Sequence, residues 1–79
     1  MTKDKALEVV KQAVLETDPA LDINNITMSA NLRHDFGFDS LDVVETAVNI
    51  EKHLNFEIDE GMDLDKVTVK DLVELVEKQ

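Results

Sequence analysis

Asp35-Phe-Gly-Phe-Asp-Ser-Leu-Asp-Val-Val-Glu-Thr-Ala-Val-Asn-Ile-Glu-Lys-His-Leu-Asn-Phe-Glu57 is the stretch on which the reading of this chain turns. Gly37 marks a turn, Asp39 can cap a helix, and from Ser40 onward the apolar residues recur at helical spacing. A helix over Ser40 to Leu54 is therefore expected, with Ser40 in its first turn. The backbone N–H groups there have no carbonyl one turn back, and the helix dipole adds positive potential, so a negative group on the Ser40 hydroxyl would be stabilised. The apolar residues of this helix fall on two lines. Leu41, Val44 and Val48 form one, and Val43, Ala47, Ile50 and Leu54 the other. A small core cannot cover both, so some apolar surface should stay exposed among carboxylates, as a docking surface requires.

Outward from this stretch, the chain reads as helix, long loop, helix, short helix, helix. Thr2 can cap a first helix from about Lys3 to Glu16, with Ala6, Leu7, Val10, Ala13 and Val14 on its apolar face. Pro19 forces Asp18 out of the helical region and ends it. From Asp18 to Phe38 there is no sustained period, only scattered Leu21, Ile23, Ile26, Met28 and Leu32. A loop anchored by apolar side chains is expected, with one helical turn near Ser29 to Arg33. Asp59 and Gly61 punctuate the segment holding Phe56, Ile58, Met62 and Leu64, which supports a short third helix around Glu60 to Asp65. Thr68 and Asp71 form a capping-box pattern, Val67 can staple to Leu72, and a last helix should run to about Lys78 with Leu72, Val73 and Val76 inward. Period-two alternation is absent. The expected fold is all-α: a small four-helix bundle of three longer helices and one short, with a long loop between the first and second, forming one domain over residues 1–79.

Composition narrows the function. Eighteen acidic residues against eight basic ones give a net charge of −10. Ten of those acids and a single base, Lys52, lie between Asp35 and Asp65, so nearly the whole imbalance surrounds Ser40 in sequence. Such a surface repels nucleic acid and anionic membrane and speeds encounter with basic protein surfaces. With no cysteine there is no disulfide framework and no thiolate metal site. No apolar run reaches membrane length, and a soluble, monomeric, cytoplasmic protein without membrane insertion is expected. A catalytic serine would need a histidine oriented beside it. The only histidines are His34, read as a loop residue, and His53, read as a solvated helix residue. Asp59, Gly61, Asp63 and Asp65 do not follow the order of a calcium-binding loop, so no metal site is expected.

Asp35, Phe36, Gly37, Phe38, Asp39, Ser40 and Leu41 resemble the signature of the acyl carrier protein family: an acidic residue, a hydrophobic residue, glycine, a variable residue, then Asp-Ser-Leu. The resemblance continues through Asp42, Val44, Glu45, Ile50 and Glu51, and chain length and helix order extend it over nearly the whole sequence. An ordinary first-turn serine is the plain alternative for Ser40 alone; the complete pattern outweighs it. The resemblance implies a non-enzyme in which Ser40 carries 4′-phosphopantetheine, whose thiol holds acyl groups. It implies that Asp39, Leu41, Asp42, Val44, Glu45, Val48, Glu51 and Glu60 dock a phosphopantetheinyl transferase and acyl-processing enzymes with basic surfaces. It also implies an acyl-chain pocket beside the second helix lined by Leu32, Thr46, Ala47, Ile50, Ile58 and Val67. Fatty acid biosynthesis is the leading pathway, with a specialised carrier of polyketide, peptidyl or aminoacyl groups as the alternative. An unmodified acidic helical interaction protein is a third. Phe36, Thr46, Asn49 and Lys52-His53 depart from the family's usual residues.

Overall fold

The computed structural model describes residues 1–55, 58 and 63–78, which form three α-helices, one 3-10 turn and, among the described residues, no β-strand. Helix α1 spans Lys3–Thr17. The Thr2 hydroxyl accepts from Lys5 N at its start, and extended backbone at Asp18 stops it before Pro19. Both other helices pack on α1: α2, Ser40–Leu54, on one side and α3, Val69–Glu77, on another. The side chains that allow this are small or β-branched. Ala6, Val10, Ala13 and Val14 of α1 have no solvent exposure at all, and they meet a core that includes Val43 and Ile50 of α2 and Val69, Leu72, Val73 and Val76 of α3. Each such valine or leucine contributes about 1.5–3 kcal/mol relative to exposure. Leu7, expected inward, is half-buried at the core's edge.

The expected bounds of α2 are met at both ends. Asp39 and Asp42 form a reciprocal capping box at the start, and Asn55, with φ of 56°, takes a left-handed conformation at the end, where its N–H donates to Glu51 O. Asparagine tolerates that conformation better than most side chains. In α3 the Thr68–Asp71 capping box forms as its spacing suggests, with Val67 and Leu72 both buried beneath it. The short third helix expected around Glu60 to Asp65 falls mainly outside the described residues. Of its span Asp63 to Asp65 are described, and they enter a turn closed by Lys66 N on Asp63 O at 3.1 Å.

The one helical turn expected in the long loop near Ser29 to Arg33 closes slightly later, by Asp35 N on Asn31 O at 2.9 Å, and the loop's 3-10 turn is elsewhere. The latter lies at Ile23–Asn25, where the Asp22 carboxylate accepts from Asn24 N. Backbone from Met28 to Leu32 is used across the molecule. Lys70 N donates to Met28 O, Val69 N to Ala30 O, and Leu32 N to Val67 O, around an isolated antiparallel bridge between Asn31 and Thr68. A helical turn starting at Met28 or Ala30 would compete for the same carbonyls. This strap fixes the end of the loop against the start of α3, close to the point where α2 begins.

Candidate functional site

Ser40 is the first residue of α2, exposed, with Asp39 before it in extended backbone. The cap is mutual: Asp39 Oδ1 accepts from Asp42 N at 2.8 Å, and Asp42 Oδ2 accepts from Asp39 N at 3.2 Å. Gly37, two residues earlier, has φ of +72°, and a Cβ added there would meet nothing within 4 Å. The need for glycine is thus conformational and not spatial, since a left-handed backbone costs an L residue about 1–2 kcal/mol. Gly37→Ala should lower unfolding stability by about 1 kcal/mol, less than the burial-dependent losses of the core; an unchanged denaturation midpoint would contradict the turn geometry. Past Gly37, Phe38 turns inward, its N–H bonded to Leu32 O at 3.1 Å and its ring 5.6 Å from that of half-buried Phe36. Buried Phe38 anchors the turn, which leaves the next two residues outside.

Residues expected at a docking face divide by exposure and by duty. Leu41 is 78% exposed, Val44 45% and Val48 38%, so the line of α2 that the core does not cover is apolar and open. Glu45 is exposed on the same helix. Asp42, half-buried, also serves the cap, and Glu51 also tethers the chain beyond α2, its Oε2 accepting from Ile58 N at 2.7 Å. Glu60 lies outside the described residues. The α2 dipole is matched at both ends, with Asp42 in the first turn and Lys52 and His53 in the last.

Of the residues expected to line an acyl pocket, Leu32, Thr46, Ile50 and Val67 are buried, while Ala47 and Ile58 are half-buried. Leu32 and Val67 are joined through their backbones in the strap. Thr46 has a partner that its neighbours in sequence do not disclose. Its hydroxyl lies 2.7 Å from that of Thr17 on α1 and donates to Asp42 O at 2.9 Å. Asn49 Nδ2 completes the group, reaching Ala13 O at 3.3 Å and Thr17 Oγ1 at 3.2 Å. No described side chain is left with a buried, unpaired polar atom. The departures at Thr46 and Asn49 therefore face α1 as one hydrogen-bonded seam. At its solvent end His53 Nε2 lies 2.8 Å from Glu16 Oε1.

A residue that sequence reasoning passed over stands next to the serine. Arg33 Nη1 donates to Ser40 Oγ at 3.3 Å and pairs with Asp65 Oδ1. Its lone positive charge in a run of acids was the available signal.

The model for the phosphopantetheine attachment site matches residues 8–76. The chain is 31% identical over 77 residues to the acyl carrier protein of Coprothermobacter proteolyticus, covering 98% of this chain and 93% of that one. It is 35% identical over 72 residues to the acyl carrier protein of Phytoplasma australiense, covering 91% and 93%. This chain belongs to the acyl carrier protein family. Acyl carrier proteins are carriers with no catalytic activity of their own, and their prosthetic group is phosphopantetheine. The mitochondrial acyl carrier protein 2 of Arabidopsis thaliana is similar too, at 38% identity over 69 residues, but there the chain spans half of the relative's length. The site's features fit the group: an exposed hydroxyl at a helix start, first-turn N–H groups and a guanidinium together suit a phosphodiester. Among the described residues no helix is long and apolar enough to cross a membrane, and no group of three acidic or histidine side chains is arranged to hold a metal.

Proposed function

We propose that residues 1–79 form one acyl carrier domain, loaded with 4′-phosphopantetheine at Ser40. The observation that carries the reading is the exposed Ser40 hydroxyl at the start of α2, directly after the Gly37 turn and beside the only arginine. On a partner transferase, Ser40 Oγ gives up its proton and attacks the pantetheine-side phosphorus of the coenzyme A pyrophosphate, releasing adenosine 3′,5′-bisphosphate. When bound, the group supplies a thiol that holds acyl chains as thioesters, a function this cysteine-free chain lacks. The chain itself docks and presents, and acyl-processing enzymes perform the reactions. The names of its relatives and the Asp39 that precedes Ser40 support an acyl cargo, and we assign it to fatty acid biosynthesis in the cytoplasm, as a monomer. Intact mass after incubation with coenzyme A and a transferase tests this: one phosphopantetheine is gained, and a chain that gains none is not such a carrier.

Leu41, Val44 and Val48, flanked by Asp39, Asp42, Glu45, Glu51 and Glu60, form the docking face in this reading. The acyl chain lies beside α2 against Leu32, Ala47, Ile50, Ile58 and Val67, with Thr46 at its boundary toward α1. Because Asp42 also holds the cap, Glu45 is the cleaner place to test charge. Glu45→Lys should slow modification of Ser40 about tenfold at low salt, by removing steering toward a basic partner. The difference should shrink as salt shortens the screening length toward about 8 Å at physiological strength. Circular dichroism should stay helical. Equal rates for both proteins across a salt series would remove Glu45 from the docking face.

A further inference from the structure

Arg33 is the one arginine of the chain, and no lysine lies between Lys11 and Lys52. The fold holds it beside Ser40. Asn31 and Asp35 close its loop: Asn31 Oδ1 accepts from both Arg33 N and His34 N at 2.9 Å, and Asp35 Oδ2 accepts from Asn31 N at 2.6 Å. The Asn31–Thr68 bridge and the Leu32–Val67 backbone bond then bring the turn bearing Asp65 alongside, and Asn31 Nδ2 reaches Asp65 O at 3.4 Å. The Arg33 side chain is 35% exposed and that of Asp65 74%, a setting in which an ion pair adds little stability. Its consequence is positional: Asp65 steadies a cation that touches the Ser40 hydroxyl.

We propose that Arg33 is a cofactor-contacting residue, its guanidinium holding the phosphodiester that joins the phosphopantetheine arm to Ser40. The inference rests on Ser40 being the attachment residue. A phosphodiester there carries one negative charge on two non-bridging oxygens, each two bonds from Oγ, the atom that Arg33 Nη1 already contacts. An arginine–phosphate bond is charge-assisted and stronger than an arginine–hydroxyl bond, so esterification increases what Arg33 gains from staying. Guanidinium has five donors, so Asp65 can keep its pair while the phosphate is held. Arg33 and the first-turn N–H groups of α2 then approach the anion from two different elements, and the base of the arm is fixed to the 31–35 loop as well as to the helix.

The single arginine makes the test direct. In protein labelled with ¹⁵N-arginine, Arg33 gives one Nε–H signal, which can be followed in the full chain before and after loading, with mass spectrometry confirming the modification. The signal should move on loading, and the ³¹P resonance of the loaded protein should be displaced by Arg33→Ala and largely restored by Arg33→Lys. Asp65→Asn should leave the loading-dependent movement in place. An Nε–H signal that stays put while the wild type gains the mass of the arm overturns the phosphate contact and leaves the Ser40 assignment standing. A wild type that gains no mass overturns both. The first measurement uses the unmutated protein, so a folding defect in Arg33→Ala cannot obscure the outcome.

Discussion

Ser40→Ala should fold as the wild type does and accept no phosphopantetheine at all. The side chain is exposed and the cap at the start of α2 is made by Asp39 and Asp42, so removing the hydroxyl leaves those bonds intact. Alanine is the best helix former, and a change at this exposed first-turn position should stay within about 0.5 kcal/mol. Loss of loading is total because no other atom of the chain combines a nucleophilic hydroxyl with this turn. The nearest competitors by type are otherwise engaged: Thr17 and Thr46 bond one another, and Thr2 and Thr68 cap helices. Thr27 and Ser29 lie in the loop, and neither begins a helix of its own. Wild type and variant are incubated with coenzyme A and a transferase and weighed. A mass gain on Ser40→Ala would move the attachment site elsewhere and discard the reading of this turn.

The second large effect concerns the core. Ile50→Ala, at a fully buried position of α2, should destabilise the protein by about 2–5 kcal/mol through lost transfer energy and the space left behind. Domains of this size have roughly 0.05–0.15 kcal/mol of stability per residue, so the loss is a large part of the total. The melting temperature should fall by at least about 8 °C, given about 4–8 °C per kcal/mol in domains of 60–100 residues. Val48→Ala, on the open face of the same helix, provides the comparison and should change stability by about 0.5 kcal/mol or less. If Val48→Ala proved the costlier of the two, α2 would have to turn its other side to the core, and the apolar docking line would be lost with that rotation.

Local chemistry explains what could be read from the sequence. The bounds of α2 follow from Asp39, Ser40 and the spacing of its apolar residues, and the start of α3 from Thr68 and Asp71, because caps involve residues three apart. Pro19 placed the end of α1 within one residue. The two lines of α2 were visible as a conflict that a small core could resolve only by leaving Leu41, Val44 and Val48 outside. Contacts between distant positions left no such trace. Arg33 meets Asp65 across 32 positions and Thr17 meets Thr46 across 29. The strap from Met28 to Leu32, past which the turn expected at Ser29 to Arg33 closes at Asp35, depends on carbonyls whose partners lie near residue 68. Thr46 was legible as a departure from the family pattern, but its direction was not, because the sequence does not say which neighbour a buried hydroxyl will meet.

That hydroxyl has a consequence for how α1 and α2 are keyed to each other. Apolar contacts between helices are tolerant, and a slide of one turn, about 5.4 Å, often finds another acceptable fit. Between α1 and α2 such a slide would bring Ala13 to the place of Thr17 in one direction, and in the other would carry the end of α1 past it, stranding Asn49 opposite groups unable to answer it. Leaving a buried polar group without its partner costs about 1–3 kcal/mol. Thr17, Thr46 and Asn49 thus act as the teeth of a ratchet: they admit one axial alignment of the two helices and reject the neighbouring ones that the valines and alanines would accept.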